Sequence, residues 1–189
     1  MDIRYNCAVA RQHSMSVPRY SAGVLALDGK GYAFGGYCAR EALVTCEQFT
    51  LSREWDILSC MQYPRHSFSP VPYKKKVYLP DISKVHGFME IFTPAKNKFR
   101  LASIRLPTNS SNSCAFIVAD RLCVLSCDRF LWYWKVGTSE SGRKEVKLEK
   151  SALSSCPVGV RGNKVYWTEF HTGELVQMDL NQLSGRSVS

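Results

Sequence analysis

The sequence predicts an all-β protein, and more specifically a β-propeller of four-stranded blades with about four repeats. Aromatic and β-branched residues are plentiful, which favours strands. No long segment shows the periodicity of an amphipathic helix. A strand–turn–strand unit also returns along the chain at intervals of 43 to 46 residues, and such a period is typical of propellers.

The clearest copy of this unit is residues 21–36, where an Asp28-Gly29 turn separates two apolar runs. Glycine after aspartate accepts the positive φ of a tight turn, so the segment predicts a β-hairpin. Each copy has Lys or Arg just before its second strand. The matching anchor positions within that strand are Tyr32, Tyr78, Cys123 and Tyr166, which lie 46, 45 and 43 residues apart.

Each repeat has a second half that also predicts strands separated by turns. The predicted strands contain aromatic or branched residues at similar places. In the first repeat they are 47–49 and the segment around Trp55, and in the second they lie within 90–99. In the third they are 130–134 and 146–148, separated by a turn at 138–143, and in the fourth the strand is 175–180.

Four strands per repeat predict one domain over residues 1–183, because a lone sheet cannot bury both faces and neighbouring sheets must stack. Residues 5–15 align with an outer strand, so the two ends could complete one blade between them. A closed four-bladed ring and part of a larger propeller both remain open. The predicted repeats are 18–61, 64–107, 108–153 and 154–183 completed by 1–17, with a polar tail at 184–189.

These motifs resemble those of Kelch-repeat propellers. The resemblance rests on Gly35-Gly36, on the Glu-x-aromatic strand with Trp55 beyond it, on the turn between Phe92 and Phe99, and on a Pro-Arg-x-Ser motif. That last motif belongs to a shared M-x-x-P-R-x-S pattern at 15–21 and 61–67. Only the first repeat has the double glycine, so the chain is identified as a divergent member.

The resemblance implies a partner-binding face built from the Pro-Arg loops and the loops after each second strand. The candidate residues are Arg19, Tyr20, Arg65 and His66 in the Pro-Arg loops, and Tyr37, Arg40, Lys84, His86 and Arg129 in the others. Arginine suits this role because its planar guanidinium pairs with carboxylates. For Arg19 and Arg65 a structural role is an equal alternative, because repeated residues usually serve the repeat.

The net charge of +9 allows an acidic partner, but the basic residues are scattered through all repeats, which favours an ordinary solvated surface. The cluster at 74–76 falls in a predicted turn, and the aromatics lie at strand positions, so nucleic-acid binding is not expected. In the run 132–134, alternation places Tyr133 opposite the two tryptophans. Either packing between blades or an exposed patch fits that run.

No metal or cofactor is expected. Cys123 and Cys127 would lie about 13 Å apart along a strand, too far for one ion, and Cys114 is likewise expected to be a buried, reduced thiol. The four histidines, at positions 13, 66, 86 and 171, fall in different repeats without a catalytic motif. The alternative is an oxidase-like or hydrolase-like propeller enzyme with a site at the central axis.

The sequence therefore predicts a non-catalytic scaffold that binds a protein or peptide. The resemblance implies roles such as a substrate receptor in a ubiquitin-ligase assembly or a cytoskeletal binder. The N-terminal residues do not resemble a signal peptide, and no window has the roughly 18 apolar residues of a membrane helix. We therefore expect a cytoplasmic protein without membrane contact.

Overall fold

The chain forms small antiparallel β-sheets, as predicted. The computed structural model describes residues 13–51, 53–81, 87–106, 114–125, 130–138, 141–145, 159–168 and 174–183. Within these ranges there is no α-helix, and the two short 3-10 helices are Pro94–Lys96 and Leu180–Leu183. Neither is long or apolar enough to cross a membrane.

Four sheets follow one another along the chain. Sheet 1 joins β1 (Gly23–Leu27), β2 (Lys30–Phe34), β5 (Cys46–Thr50) and β6 (Arg53–Ile57), and the short strands β3 (Tyr37–Cys38) and β4 (Glu41–Ala42) form a separate hairpin. Sheet 2 joins β7 (Val71–Tyr73), β8 (Lys76–Pro80), β9 (Phe88–Thr93) and β10 (Lys98–Arg105). Sheet 3 joins β11 (Cys114–Val118), β12 (Arg121–Leu125), β13 (Phe130–Lys135) and β14 (Ser141–Glu145). Sheet 4 joins β15 (Gly159–Arg161), β16 (Lys164–Thr168) and β17 (Leu175–Asp179).

The first hairpin of each sheet turns through two residues. Asp28 and Gly29 have φ values of 50° and 73°, which confirms the predicted tight turn. Lys74 and Lys75 do the same in sheet 2, with φ values of 46° and 58°. Positive φ at both central residues matches the twist of the flanking strands. The anchor Tyr32 pairs with Leu25, and Tyr78 pairs with Val71 in the same register.

The sheets bury their apolar residues against one another through alternate faces. One cluster joins sheets 1 and 2 and includes Phe34 and Phe92. A second joins the other face of sheet 2 to sheet 3, and a third joins the other face of sheet 3 to sheet 4. The run at 132–134 follows this alternation: Trp132 and Trp134 pack in the second cluster and Tyr133 in the third.

The second half of sheet 3 differs from the prediction. The sequence predicts a turn at 138–143 and a strand at 146–148, whereas β14 begins at Ser141 and pairs with Trp134. The chain reverses earlier because Gly137 has a φ of 90° and Thr138 N–H donates to the carbonyl of Lys135 at 3.2 Å. Residues 146–148 lie outside the described residues.

The described sheets are open, so a propeller ring stays a prediction. Sheet 4 has three strands within the described part of the chain. Residues 1–12, which cover most of the segment predicted to supply its outer strand, lie outside that part.

The buried cysteines behave as predicted. Cys114, Cys123 and Cys46 are thiols outside any disulfide, with little or no exposed area. Burial raises the pKa of Cys46 and of Cys123 to about 12, which keeps both thiols protonated. Cys127 lies outside the described residues.

We predict that Gly35→Ala is strongly destabilising. Gly35 has a φ of 59°, and a Cβ there would lie 2.2 Å from the Arg65 carbonyl oxygen. The expected loss is about 3 kcal/mol or more of unfolding free energy, measured by urea denaturation. Gly29→Ala is the control: its φ is 73° with open space around it, so about 1 kcal/mol is expected. Equal losses for both variants would contradict the steric argument.

Candidate partner-binding site

Arg19 is buried at the base of the loops beside sheet 1. One guanidinium nitrogen donates to the carbonyls of Gly35 and Thr45, both at 2.8 Å. The other donates to Glu47 Oε1 at 2.5 Å, and each side chain is 1% exposed. The carboxylate of Glu47 also accepts the backbone N–H groups of Ser16 at 2.7 Å and Val17 at 3.2 Å.

Arg65 makes the same arrangement beside sheet 2. It donates to the Phe88 carbonyl at 3.0 Å and to Glu90 at 2.9 Å. Glu90 accepts the N–H groups of Gln62 at 3.0 Å and Tyr63 at 3.2 Å. Asp81 adds a second carboxylate 3.9 Å from the guanidinium. The two arginines therefore fix the Pro-Arg loops to a strand of the sheet that follows.

These contacts support the structural alternative for Arg19 and Arg65. Their side chains are 1% exposed and their guanidinium groups bind carboxylates and carbonyls of the chain itself. Sequence reasoning singled out the arginines and missed their role with Glu47 and Glu90. The available signal was that each repeated Pro-Arg pair precedes a Glu-x-aromatic segment by a similar distance.

The hydrogen bonds to Glu47 have an electrostatic consequence. Burial by itself raises the pKa of this carboxyl. The donors from Ser16, Arg19 and Val17 outweigh burial and hold the pKa of Glu47 below its ordinary value. The carboxylate is thus charged and fully engaged in the folded protein.

The register position that Glu47 occupies in sheet 1 holds a different type of residue in the later sheets. Glu47 pairs with Ala33, and Glu90 occupies the same register position opposite Leu79. The corresponding residue of sheet 3 is Trp132, opposite Val124, and that of sheet 4 is Val176, opposite Trp167. The carboxylates are therefore found in the first two sheets, and apolar residues take their register position in the other two.

Three loops meet above the buried arginines. Tyr20 and Tyr37 exchange backbone hydrogen bonds of 3.1 and 2.8 Å. Gly36 N–H donates to the Arg65 carbonyl at 2.7 Å, and Ser67 N–H donates to the Ser21 carbonyl at 2.8 Å. The two Pro-Arg loops and the β3–β4 hairpin are consequently held together by main-chain contacts.

These loops bring together three of the predicted site residues, which we term the Tyr20–Tyr37–His66 stack. The rings of Tyr20 and Tyr37 are 5.4 Å apart at 26°, and those of Tyr37 and His66 are 4.2 Å apart at 33°. Tyr20 is 56% exposed, and the other two side chains are partly buried. The stack is an aromatic surface that a ligand can reach.

Arg40 lies at the tip of the β3–β4 hairpin. Ala39 and Arg40 have φ values of 47° and 74°, and Arg40 is exposed. It is three residues along the chain from Tyr37, so the hairpin that supplies one ring of the stack also carries an exposed cation at its tip. The other predicted site residues, Lys84, His86 and Arg129, lie outside the described residues.

The described histidines lie in different settings. His13 Nδ1 is 3.4 Å from the exposed Glu54 carboxylate, whereas His66 is in the stack. Among the described residues, no group of three or more histidine, cysteine or acidic side chains could hold a metal ion. His86 and His171 lie outside this part of the chain.

Comparison of the chain with protein-family models and with curated protein sequences gives no match. The Kelch resemblance therefore rests on the sequence motifs and contacts described above.

We predict strong energetic coupling between Arg65 and Glu90. Arg65→Met leaves the Glu90 carboxylate, which is fully buried, without its main counter-ion, and should cost about 3–5 kcal/mol of unfolding free energy. The double variant with Glu90→Leu should lose less than the sum of the single variants. Urea denaturation of all four proteins gives the coupling energy.

The exposed pair of Lys74 and Asp120 is the matched control, since its atoms are 3.7 Å apart on the surface. Lys74→Met should change the unfolding free energy by less than about 1 kcal/mol. Additive losses at Arg65 and Glu90 would contradict the coupled network.

We predict that Glu47 makes the protein sensitive to acid. Because the folded pKa is lowered from 4.5, the stability due to Glu47 is fully present above that pH and is lost as the pH falls through the folded value. Glu47→Gln should therefore show a shallower decline of unfolding free energy on acidification, measured by urea denaturation at stepped pH. Glu41→Gln, at an exposed position of β4, should keep the wild-type slope; an unchanged slope for Glu47→Gln would contradict the assignment.

Proposed function

We propose that the chain is a non-catalytic protein-interaction module of the Kelch-propeller type. In this proposal the four sheets are consecutive blades, and a segment of a partner protein binds at the Tyr20–Tyr37–His66 stack beside Arg40. The stacking of sheets through alternate faces supports the blade arrangement. So does the common register of the anchor tyrosines.

The exposed stack is the observation that carries the binding role. Aromatic rings supply large contact area at little cost in side-chain entropy. Here the loops that hold them are fixed from below by the Arg19–Glu47 and Arg65–Glu90 pairs. A surface that is already ordered loses less entropy on binding than a mobile loop does.

The chemistry of the site favours an extended segment with an apolar side chain next to an acidic one. The rings of Tyr20 and Tyr37 offer a flat apolar platform, and Arg40 offers a cation that can pair with a carboxylate. The net charge of +9 attracts an acidic partner at longer range. A cytoplasmic substrate receptor of a ubiquitin ligase, or a cytoskeletal binder, would use such a site.

A peptide selection tests this function. Peptides selected from a random displayed library on the wild-type protein are measured by fluorescence anisotropy against Tyr37→Ala and Arg40→Asn. Asparagine keeps the positive φ at position 40 accessible. Each variant should weaken binding by roughly 10- to 100-fold if it removes a central contact.

Lys96→Ala is the control, because Lys96 is an exposed cation in the β9–β10 turn, away from the stack. It should bind like the wild type. Unfolding midpoints verify that each variant is folded. Selected peptides that bind all the folded variants equally would overturn the proposed site.

A further inference from the structure

The first sheet has one face that no other sheet covers in the described part of the chain. Val24 is 67% exposed and Ile57 is 66% exposed on this face. Phe49 and Trp55 lie on the same face; their rings are 5.4 Å apart, and both are only partly buried. This free face of sheet 1 is the one that points away from sheet 2.

The interface between sheets 1 and 2 shows how the equivalent face of sheet 2 is packed against a neighbouring sheet. In sheet 2 the ring pair Phe92–Phe99, with centroids 4.6 Å apart, occupies the place of Phe49–Trp55. Tyr32 and Phe34 of sheet 1 lie edge-on over Phe92, at 6.1 and 5.6 Å, and leave it fully buried. Phe92 is thus fully buried in sheet 2, whereas Phe49, which holds the same register position in sheet 1, is only partly buried.

Two methionines at equivalent positions differ in burial in the same way. Met61 is 3% exposed and packs in the cluster that contains Cys46. Met15 stands 46 residues earlier in the same M-x-x-P-R motif and is only partly buried. It lines an open depression of about 420 Å³ together with His13, Pro18 and Trp55. The depression lies where a neighbouring sheet would pack.

The last sheet presents the complementary face. Tyr166 pairs with Gln177 as Tyr32 pairs with Gln48, so it takes the position of Tyr32. Leu175 takes the position of Cys46 and is 66% exposed. An open depression of about 640 Å³ borders Tyr166, Arg161 and Lys164. This is the side of sheet 4 that corresponds to the covering face of sheet 1.

We propose that the free face of sheet 4 in a second copy of this chain packs on the free face of sheet 1, and that two copies make this contact reciprocally. The internal interface of sheets 1 and 2 is the template, and it places Leu175 of one copy against Met15 of the other. Within a single chain, Val24 and Leu175 both stay exposed. A contact with a second copy would cover both side chains, and two reciprocal contacts close a twofold dimer.

This inference does not depend on the proposed function. The residues that carry it lie on sheet faces, and the Tyr20–Tyr37–His66 stack lies in the loops. The chain carries a charge of +9, so two copies repel each other at low ionic strength. We expect a reversible dimer that becomes tighter as salt is added.

Sedimentation equilibrium of the full chain over a range of concentrations and salt tests the proposal. Wild-type protein should dissociate reversibly from dimer to monomer. Met15→Lys and Leu175→Asp should each weaken the dimer by about 100-fold, since each removes two identical contacts worth about tenfold apiece. Tyr20→Lys, which adds the same charge at an exposed position in the loops, should dimerise like the wild type.

Mixing the two weakened variants identifies the faces. In the mixture one contact pairs the introduced lysine with the introduced aspartate, and the other contact keeps the two wild-type side chains, so the dimer should be restored. Wild-type protein that stays monomeric at every concentration would overturn the proposal. That result would mean that the face is covered from within the same chain, by sheet 4 or by residues 1–12, or is not covered. A dimer weakened by only one of the two substitutions, or not restored by mixing, would overturn the pairing of sheet 1 with sheet 4.

Discussion

The buried pairing of Arg19 with Glu47, repeated by Arg65 with Glu90, is the constraint on which the arrangement of sheets 1 and 2 depends. A carboxylate in the middle of a strand would be very unfavourable without counter-charge and donors. Here each glutamate receives one guanidinium and two backbone N–H groups. All of these donors come from the segment that precedes the sheet. Satisfying one buried charge therefore fixes the path of an entire connecting segment.

The position of the aromatic stack follows from this constraint. The Arg65 carbonyl accepts a hydrogen bond from Gly36, and Arg19 donates to the Gly35 carbonyl. The loop between β2 and β5 is consequently attached to both Pro-Arg loops. Side chains from three distant parts of the sequence then meet in one surface, although none of them belongs to the ion pairs. The aromatic surface proposed for binding is thus held in place by ion pairs whose side chains are 1% exposed or less.

Local features of the sequence were sufficient to predict the hairpins and most strands. The Asp28-Gly29 turn and the Lys74-Lys75 turn depend on neighbouring residues alone, so their positions could be read directly. The partner of a buried arginine could not, because Glu47 is 28 residues from Arg19 and only the fold brings them together. For the same reason Tyr20, Tyr37 and His66 were predicted as separate candidates and not as a stack. The start of β14 was misplaced because Ser141–Arg143 are polar, and an edge strand tolerates polar residues as readily as a turn does.

The replacement of Glu47 and Glu90 by Trp132 and Val176 divides the chain into two halves with different physical chemistry. In the first half, the segment between sheets is held by directional, charged hydrogen bonds, whereas apolar side chains take the same register position in the second. Apolar association weakens on cooling, because it is driven by entropy near room temperature. Cooling also weakens the apolar cluster between sheets 1 and 2, but the Arg19–Glu47 and Arg65–Glu90 pairs do not depend on apolar association. The loops on sheets 1 and 2 therefore keep a restraint in the cold that apolar packing alone does not supply.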